Sequence, residues 1–308
     1  MKILIIDKMH DSILPLLEAI GCRADYKPEI DRNLILSIIS SYDGIIVRSK
    51  TPMDAEFLER AQHLKFVARA GAGIDNVDME AMSKYGIQLL NAPEGNRDAV
   101  AEHTLAMLLS LMNKLHLANQ QVRNRVWDRE GNRGYELMGK TVGLLGFGYM
   151  GQAVAKRLSS FGCRILAFDI FPQKHAYEDV EIVDFDVFKR DTEILSIHIP
   201  LNTENKLLIN TDYLSQFPKL QYVVNTSRGE VLKLSDMVAM LKDGRLKGAA
   251  LDVLENEKLA QLNNDEDKVF GELISLDNVI LSPHVAGWTF ESYEKINQVL
   301  VEKIKNIV

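Results

Sequence analysis

Short runs of branched apolar residues alternate with longer amphipathic stretches along most of the chain, the pattern of a parallel sheet covered by helices. In the first third the runs predict strands at Ile3–Ile6, Gly44–Val47, Phe66–Ala70 and Gln88–Leu90. Helices over Ile13–Ile20, Leu34–Ser40 and Ala55–Arg60 fall between them. A second series opens at Thr141, with strands predicted at Thr141–Leu145, Ile165–Phe168, Ile194–His198, Tyr222–Asn225, Ala249–Val253 and Val279–Leu281. Met150–Phe161 and Ser235–Lys242 read as helices inside that series, and Asn256–Asp267 as a polar loop. Asp98–Leu117 predicts the longest helix, apolar on most of its circumference and therefore buried on several sides. It reads as an inter-domain spine or as part of a dimer contact. The Arg-rich stretch 123–133 behind it reads as a solvated connection or as an arm packing on a partner subunit. A last helix, Glu291–Ile307, follows the completed second series and predicts a return to the first domain.

At 308 residues the chain has room for two domains. Its 46% hydrophobic and 26% charged residues are those of a soluble globular protein. A net charge of -7 argues against nucleic acid or an anionic membrane as the main partner. Asp7 interrupts the apolar start too early for a signal peptide, and no run approaches the roughly 18 apolar residues of a membrane span. Cys22 and Cys163 lie far apart and outside any metal-ligand spacing. A cytoplasmic protein without disulfides or metal is expected.

Gly146-Phe147-Gly148-Tyr149-Met150-Gly151 matches G-x-G-x-x-G. The pattern alone is weak, but here a predicted strand precedes it and a predicted helix follows. A second strand then ends at Asp169, about 20 residues on. Gly146 permits a tight turn, Gly148 lets backbone approach a pyrophosphate, and Gly151 lets helix and strand pack closely. The helix N-terminus, at Tyr149 and Met150, offers amides and positive partial charge to phosphates. Asp169 would accept from the adenosine ribose hydroxyls and repel a 2′-phosphate, and Ile170 and Phe171 supply no offsetting cation. NAD is the expected cofactor. Because the signature sits mid-chain, the Rossmann-like cofactor domain is expected as an insertion, 96–285, within a discontinuous domain of 1–95 and 286–308. The expected fold class is α/β, with two doubly wound parallel sheets.

Arg228, Glu257 and His284 stand at, or just beyond, predicted strand ends, where open α/β sheets place their ligands. Oxidation of an alcohol by hydride transfer needs a group to take the hydroxyl proton, and histidine suits that at neutral pH. A carboxylate beside it stabilises the protonated ring. An arginine can hold a substrate carboxylate by paired hydrogen bonds.

Asn225-Thr226-Ser227-Arg228-Gly229, Ala249-Ala250-Leu251-Asp252-Val253-Leu254-Glu255-Asn256-Glu257 and Ser282-Pro283-His284-Val285-Ala286-Gly287 closely resemble the D-isomer-specific 2-hydroxyacid dehydrogenase family. So do Val47-Arg48-Ser49-Lys50-Thr51, Ala70-Gly71-Ala72-Gly73-Ile74-Asp75-Asn76-Val77-Asp78 and His198-Ile199-Pro200-Leu201, in order along essentially the whole chain. The resemblance implies His284 as general acid/base, Glu257 as its partner and Arg228 as the ligand of the substrate's carboxylate and keto oxygen. It implies a cofactor contact for Asp252 at the nicotinamide end, with Ile199, Pro200, Thr226, Ser227 and Gly287 lining the cofactor cleft. Backbone around Gly71, Ala72 and Gly73 would hold the substrate carboxylate. A flavodoxin-like substrate domain and a homodimer built on the cofactor domain are implied as well.

Three positions depart from the family's pattern: Leu254 stands where Phe is usual, Lys258 where Pro follows the Glu, and Trp288 where a small residue is common. The indole either narrows the substrate pocket or packs between domains. Arg48-Ser49-Lys50-Thr51 and Asn91-Ala92-Pro93-Glu94-Gly95-Asn96 look most like the phosphoglycerate-oxidising branch, which makes Arg48 a candidate phosphate ligand, with Ser49 beside it a candidate substrate contact. Hydroxypyruvate or glyoxylate reduction is the alternative, and a non-catalytic NAD-sensing protein of the same fold a further one. The chain's end at Val308 predicts no appended regulatory domain and no serine feedback through one.

Overall fold

The computed structural model describes residues 1–171 and 179–307. Five strands come first: β1 (Lys2–Ile5), β2 (Arg23–Tyr26), β3 (Gly44–Val47), β4 (Phe66–Arg69) and β5 (Gln88–Asn91). Helices α1 (Ile13–Ala19), α2 (Arg32–Ile38), α3 (Ala55–Arg60) and α4 (Met79–Lys84) connect them. Two helices follow, α5 (Pro93–Met112) and α6 (Leu115–Arg123). The second strand series is β6 (Thr141–Leu145), β7 (Arg164–Phe168), β8 (Glu181–Ile182), β9 (Ile194–Ile197), β10 (Tyr222–Asn225), β11 (Gly248–Leu251) and β12 (Val279–Leu281). Its helices are α7 (Tyr149–Leu158), α8 (Phe185–Asp191), α9 (Thr211–Leu214), α10 (Leu234–Lys242) and α11 (Asn264–Ile274). α12 (Phe290–Lys305) ends the chain. Two compact units result: Met1–Arg97 with Trp288–Val308, and Asp98–Gly287.

The first unit carries a parallel sheet in the order β2-β1-β3-β4-β5. Its strand order reverses between β1 and β3, the place where open α/β sheets leave a crevice at the strands' carboxyl ends. Asp7 and Arg48 follow those two strands, and Asp7 Oδ2 accepts the Arg48 backbone N–H at 2.5 Å. α12 packs here through a helical stripe of Ile296, Leu300, Val301 and Ile304, buried with Ile3, Ile5, Ile46, Phe66 and Ala68. Each such side chain contributes roughly 1.5–3 kcal/mol of burial. A Cβ on Gly95 would lie 2.7 Å from the backbone of Ile296, so glycine permits the close approach. Lys303 then bonds the Asn91 carbonyl and Glu94, each at 2.9 Å.

The second unit carries a seven-stranded parallel sheet, β12-β11-β10-β9-β6-β7-β8. Side chains alternate between two cores, as the period of two requires. Val142, Leu144, Ile165, Ala167 and Val224 enter one, while Leu145, Leu166, Leu195, Ile197 and Val223 enter the other. Order reverses beside β6, the first of these strands in the chain.

Four elements differ from their sequence expectation, the exposed two-residue edge strand β8 among them. The long helix does not run through Leu117: Lys114 adopts φ 51°, and α6 starts anew after it. The Tyr135 N–H caps the Met112 carbonyl, at the end of α5, at 2.9 Å. The stretch 256–267 is not loop throughout, because α11 starts inside it. Asn263 and Glu266 close a capping box, and Asp265, Glu266 and Asp267 suit the positive helix end. β2 escaped the periodicity because its sequence, Arg-Ala-Asp-Tyr, is polar and half exposed at a sheet edge. Among the described residues no helix is long and apolar enough to cross a membrane.

Candidate active site

The glycine turn follows β6. Gly146 has φ 92°, and a Cβ there would lie 2.7 Å from the His198 carbonyl oxygen, so the position requires glycine twice over. A Cβ on Gly151 would lie 2.3 Å from the Gly146 carbonyl oxygen, which seats α7 directly on the turn. Gly148 differs. It is exposed, has φ -79°, and a Cβ there would meet nothing within 4 Å. Open space therefore lies over the N-terminus of α7, whose first turn holds no acidic residue, and Tyr149 and Met150 begin that turn. These features fit a dinucleotide pyrophosphate. Asp169, after β7, accepts the Phe147 N–H at 2.7 Å and the Phe171 N–H at 2.8 Å, joining the acidic side chain to the turn. Ile199 and Pro200 follow β9, the other neighbour of β6.

Arg228, Glu257 and His284 follow β10, β11 and β12, three adjacent parallel strands, so all three leave the same edge of the sheet. The Nδ1 atom of His284 lies 2.9 and 3.0 Å from the two oxygens of Glu257. A carboxylate can only accept, which puts the ring proton on Nδ1 and leaves Nε2 with its lone pair. Both side chains are more than 40% exposed, so a solute can reach them. His284 itself adopts φ 54°, a left-handed conformation that costs a non-glycine residue of order 1–3 kcal/mol.

Asp252 holds that conformation in place. Three successive loop amides converge on it. The His284 N–H donates to the Asp252 carbonyl at 2.7 Å, and the Val285 and Ala286 N–H groups donate to its carboxylate at 2.9 and 2.8 Å. The Ser282 hydroxyl adds a fourth bond at 2.5 Å. Burial opposes ionisation of Asp252, but His103, Ser282 and the two amides together hold its carboxyl below the usual range. Its side chain is 0% exposed. The residue expected at the nicotinamide end of the cofactor is thus engaged inside the protein, by the loop that carries His284 and runs to Gly287.

The Arg228 turn is fixed by Asn225. That side chain accepts from the Ser227 N–H and hydroxyl at 3.0 and 2.8 Å and donates to the Arg228 carbonyl at 2.9 Å. Thr226, buried, meets Thr104 Oγ1 at 2.9 Å. A Cβ on Gly229 would lie 1.8 Å from the Leu254 carbonyl oxygen, so the Arg228 turn packs backbone to backbone against the loop leading to Glu257.

In the first unit, Asn76 donates to the carbonyls of Arg48 and Thr51 at 3.2 and 3.4 Å. It ties the segment containing Ser49 to the loop of Gly71, Ala72 and Gly73. Gly71 has φ 147°, and a Cβ there would lie 1.8 Å from Arg69 Nη1. Arg69 was not singled out from sequence. It pairs with Val47 in register and so ends β4 beside the strand that leads into Arg48, a neighbourhood visible only in the fold. His103 was also missed, because a lone histidine on an apolar helix carries no mark. Its Nε2 lies 2.9 Å from Ser282 Oγ and 3.5 Å from Asp252 Oδ1.

Comparison with known proteins gives the chain a family. The sequence profile described as D-isomer specific 2-hydroxyacid dehydrogenase, NAD binding domain, matches residues 105–286. A D-3-phosphoglycerate dehydrogenase of Archaeoglobus fulgidus is 33% identical over 309 residues, covering 100% of this chain and 57% of that protein. The chain thus spans little more than half of that relative's length. A hydroxypyruvate reductase of Thermotoga maritima is 34% identical, covering 89% of this chain and 88% of that one. Among solved structures, D-2-hydroxyisocaproate dehydrogenase superposes with a TM-score of 0.83 at 28% identity, covering 100% of this chain and 98% of the other.

Proposed function

The chain belongs to the D-isomer specific 2-hydroxyacid dehydrogenase family, and from that premise we propose that it oxidises 3-phosphoglycerate to 3-phosphohydroxypyruvate with NAD. The observation that carries the reading is the His284–Glu257 pair, held on a loop at the same sheet edge as the glycine turn. Bound at that turn, NAD would supply the acceptor for the hydride leaving C2. Gly146, Gly148 and Gly151 make the turn, the amides at Tyr149 and Met150 face the phosphates, and Asp169 binds the ribose. Asp169 favours NAD over NADP, since a carboxylate repels a 2′-phosphate. Ile199, Pro200, Thr226, Ser227 and Gly287 flank the cofactor, and Asp252 contributes by fixing the loop.

His284 Nε2 takes the hydroxyl proton of the substrate, and Glu257 stabilises the imidazolium that forms. Arg228 holds the substrate carboxylate and polarises the C2 oxygen. Backbone at Gly71, Ala72 and Gly73 supports the same carboxylate. Arg48, with Ser49 beside it, takes the phosphate. The naming of several similar proteins as D-3-phosphoglycerate dehydrogenase supports the substrate. The enzyme works as a homodimer in the cytoplasm, at the entry to serine formation. Exposed Leu115, Val122, Trp127 and Met138 supply an apolar surface for the dimer on the cofactor unit.

The test is NADH turnover on 3-phosphoglycerate, hydroxypyruvate, glyoxylate and pyruvate side by side, each with NAD(H) and NADP(H). Highest kcat/KM for the phosphorylated acid with NAD supports the proposal. A higher value for hydroxypyruvate or glyoxylate makes the chain a reductase of those acids. No turnover on any of them leaves only an NAD-binding protein.

A further inference from the structure

Trp288, the bulky departure from the family pattern, lies against Arg48. The Arg48 guanidinium carbon is 4.2 Å from the centre of the indole and 5.3 Å from that of Tyr293. The two rings are themselves 5.1 Å apart and tilted by 44°. Three nearly equal distances make a triangle, so both rings lie to one side of the cation, as a cradle. Arg48 also hydrogen-bonds the Tyr293 side chain, and its Nη1 donates to the Lys8 carbonyl at 3.5 Å.

The cradle is built firmly. Tyr293 stands on α12 and meets the ring of His10 edge-on at 5.7 Å. Buried Asn297, one turn further along the helix, donates to the His10 carbonyl and to Ser12 Oγ, each at 3.0 Å. From the other side, Asp7 accepts the Arg48 backbone N–H. The nearby cations are engaged elsewhere: Lys8 pairs with Glu29 at 3.3 Å, and Lys50 donates to the carbonyls of Pro28 and Ile30. Trp288 remains 51% exposed, an unusual position for an indole unless it covers something.

We propose that Trp288 and Tyr293 are positioning residues that hold Arg48 as a fixed fork for a phosphoryl group, making this cradle the determinant that selects a phosphorylated hydroxy acid. The proposal rests on the reading of Arg48 as the phosphate ligand. A free arginine must order several rotatable bonds to bind phosphate with two N–H groups, whereas a cradled one has already done so. Phosphate binds in the guanidinium plane, and an arginine carries five N–H donors, so the bonds to Tyr293 and Lys8 leave others for a phosphate.

The chain has only two tryptophans, which gives a direct readout. In a Trp127→Phe background, Trp288 fluorescence is titrated with 3-phosphoglycerate, inorganic phosphate and D-glycerate. A saturable change with the first two and none with D-glycerate is expected. Trp288→Ala should raise KM for 3-phosphoglycerate roughly tenfold, the scale of one cation–π contact, with kcat within twofold. Trp288→Phe should recover most of that loss, and KM for hydroxypyruvate should move less than twofold in both variants. Equal changes in KM for phosphorylated and plain acids, or a fluorescence change with D-glycerate alone, would overturn the proposal. Should Trp288→Ala fold poorly, Trp288→Phe and the titration still decide. An enzyme that turns over hydroxypyruvate but not 3-phosphoglycerate loses the proposed substrate, while the response to inorganic phosphate judges the cradle separately.

Discussion

Glu257 meets His284 through both carboxylate oxygens, at 2.9 and 3.0 Å from the same ring nitrogen. That contact sets which nitrogen of His284 is left to accept a proton, and it links the loop after β11 to the loop after β12. Glu257→Gln preserves the shape but removes the charge that steadies the imidazolium. Turnover should fall roughly 10- to 100-fold, the worth of a hydrogen bond to a charged group, while KM for NAD stays unchanged. Steady-state kinetics with each substrate varied checks this, and wild-type turnover would detach Glu257 from the chemistry.

Asp252 is the anchor of the catalytic loop. In Asp252→Asn, an amide NH2 faces backbone N–H or hydroxyl donors and can accept from none of them. Roughly 1–3 kcal/mol of stability should be lost for each donor left unsatisfied. The left-handed backbone of His284 should relax as well, lowering kcat more than tenfold. Thermal melts and kinetics on the same preparation test both effects. An unchanged Tm with unchanged kcat contradicts the anchoring role.

Two glycines of the turn should behave oppositely. A methyl at Gly148 enters open space at an ordinary φ, so Gly148→Ala should keep stability within about 0.5 kcal/mol. It should nevertheless weaken NAD binding at least tenfold, because backbone can no longer approach the pyrophosphate. Gly151→Ala drives a methyl into the Gly146 carbonyl and should cost about 1–3 kcal/mol of stability. Calorimetric titration of NAD beside melting curves separates the two cases. A Gly148→Ala protein that binds NAD normally would move the pyrophosphate elsewhere.

Sequence reading found the parts with strong periodicity or rigid chemistry. Gly44–Val47, Ala55–Arg60, Thr141–Leu145, Tyr222–Asn225 and Val279–Leu281 fall where the apolar runs predicted. Polar edge strands and tertiary caps left no such mark. β2 is held by its pairing with β1, and the carbonyl that ends α5 is capped by Tyr135, more than twenty residues downstream. α11 was legible in principle, since Asn263 and Glu266 stand at capping-box spacing, but its acidic start suggested solvent. At the site, His284 and Glu257 were readable as residue types. The convergence of three amides on Asp252, the partnership of His103 with Ser282, and the cradle under Arg48 are long-range contacts that no local pattern encodes.

Burial pushes His198, beside the glycine turn, down to about 4, with Ser196 Oγ 2.8 Å from its Nε2. An unfolded histidine titrates near 6.5. Between those values the unfolded chain binds a proton that the folded chain refuses. The contribution of His198 to stability is therefore full above pH 6.5 and falls as pH drops towards 4, by up to about 3 kcal/mol. His198→Gln should flatten the dependence of Tm on pH between 7 and 4.5. Parallel curves for the two proteins would mean that His198 takes up its proton without unfolding cost.

The most direct measurement compares NADH formation from 3-phosphoglycerate by the wild-type protein and by His284→Ala, with NAD affinity determined for both. Measurable wild-type turnover, at least a 100-fold loss in the variant and equal NAD binding are the predicted result. Comparable rates in the two proteins, or wild-type protein that binds NAD but oxidises no 2-hydroxy acid, would contradict it.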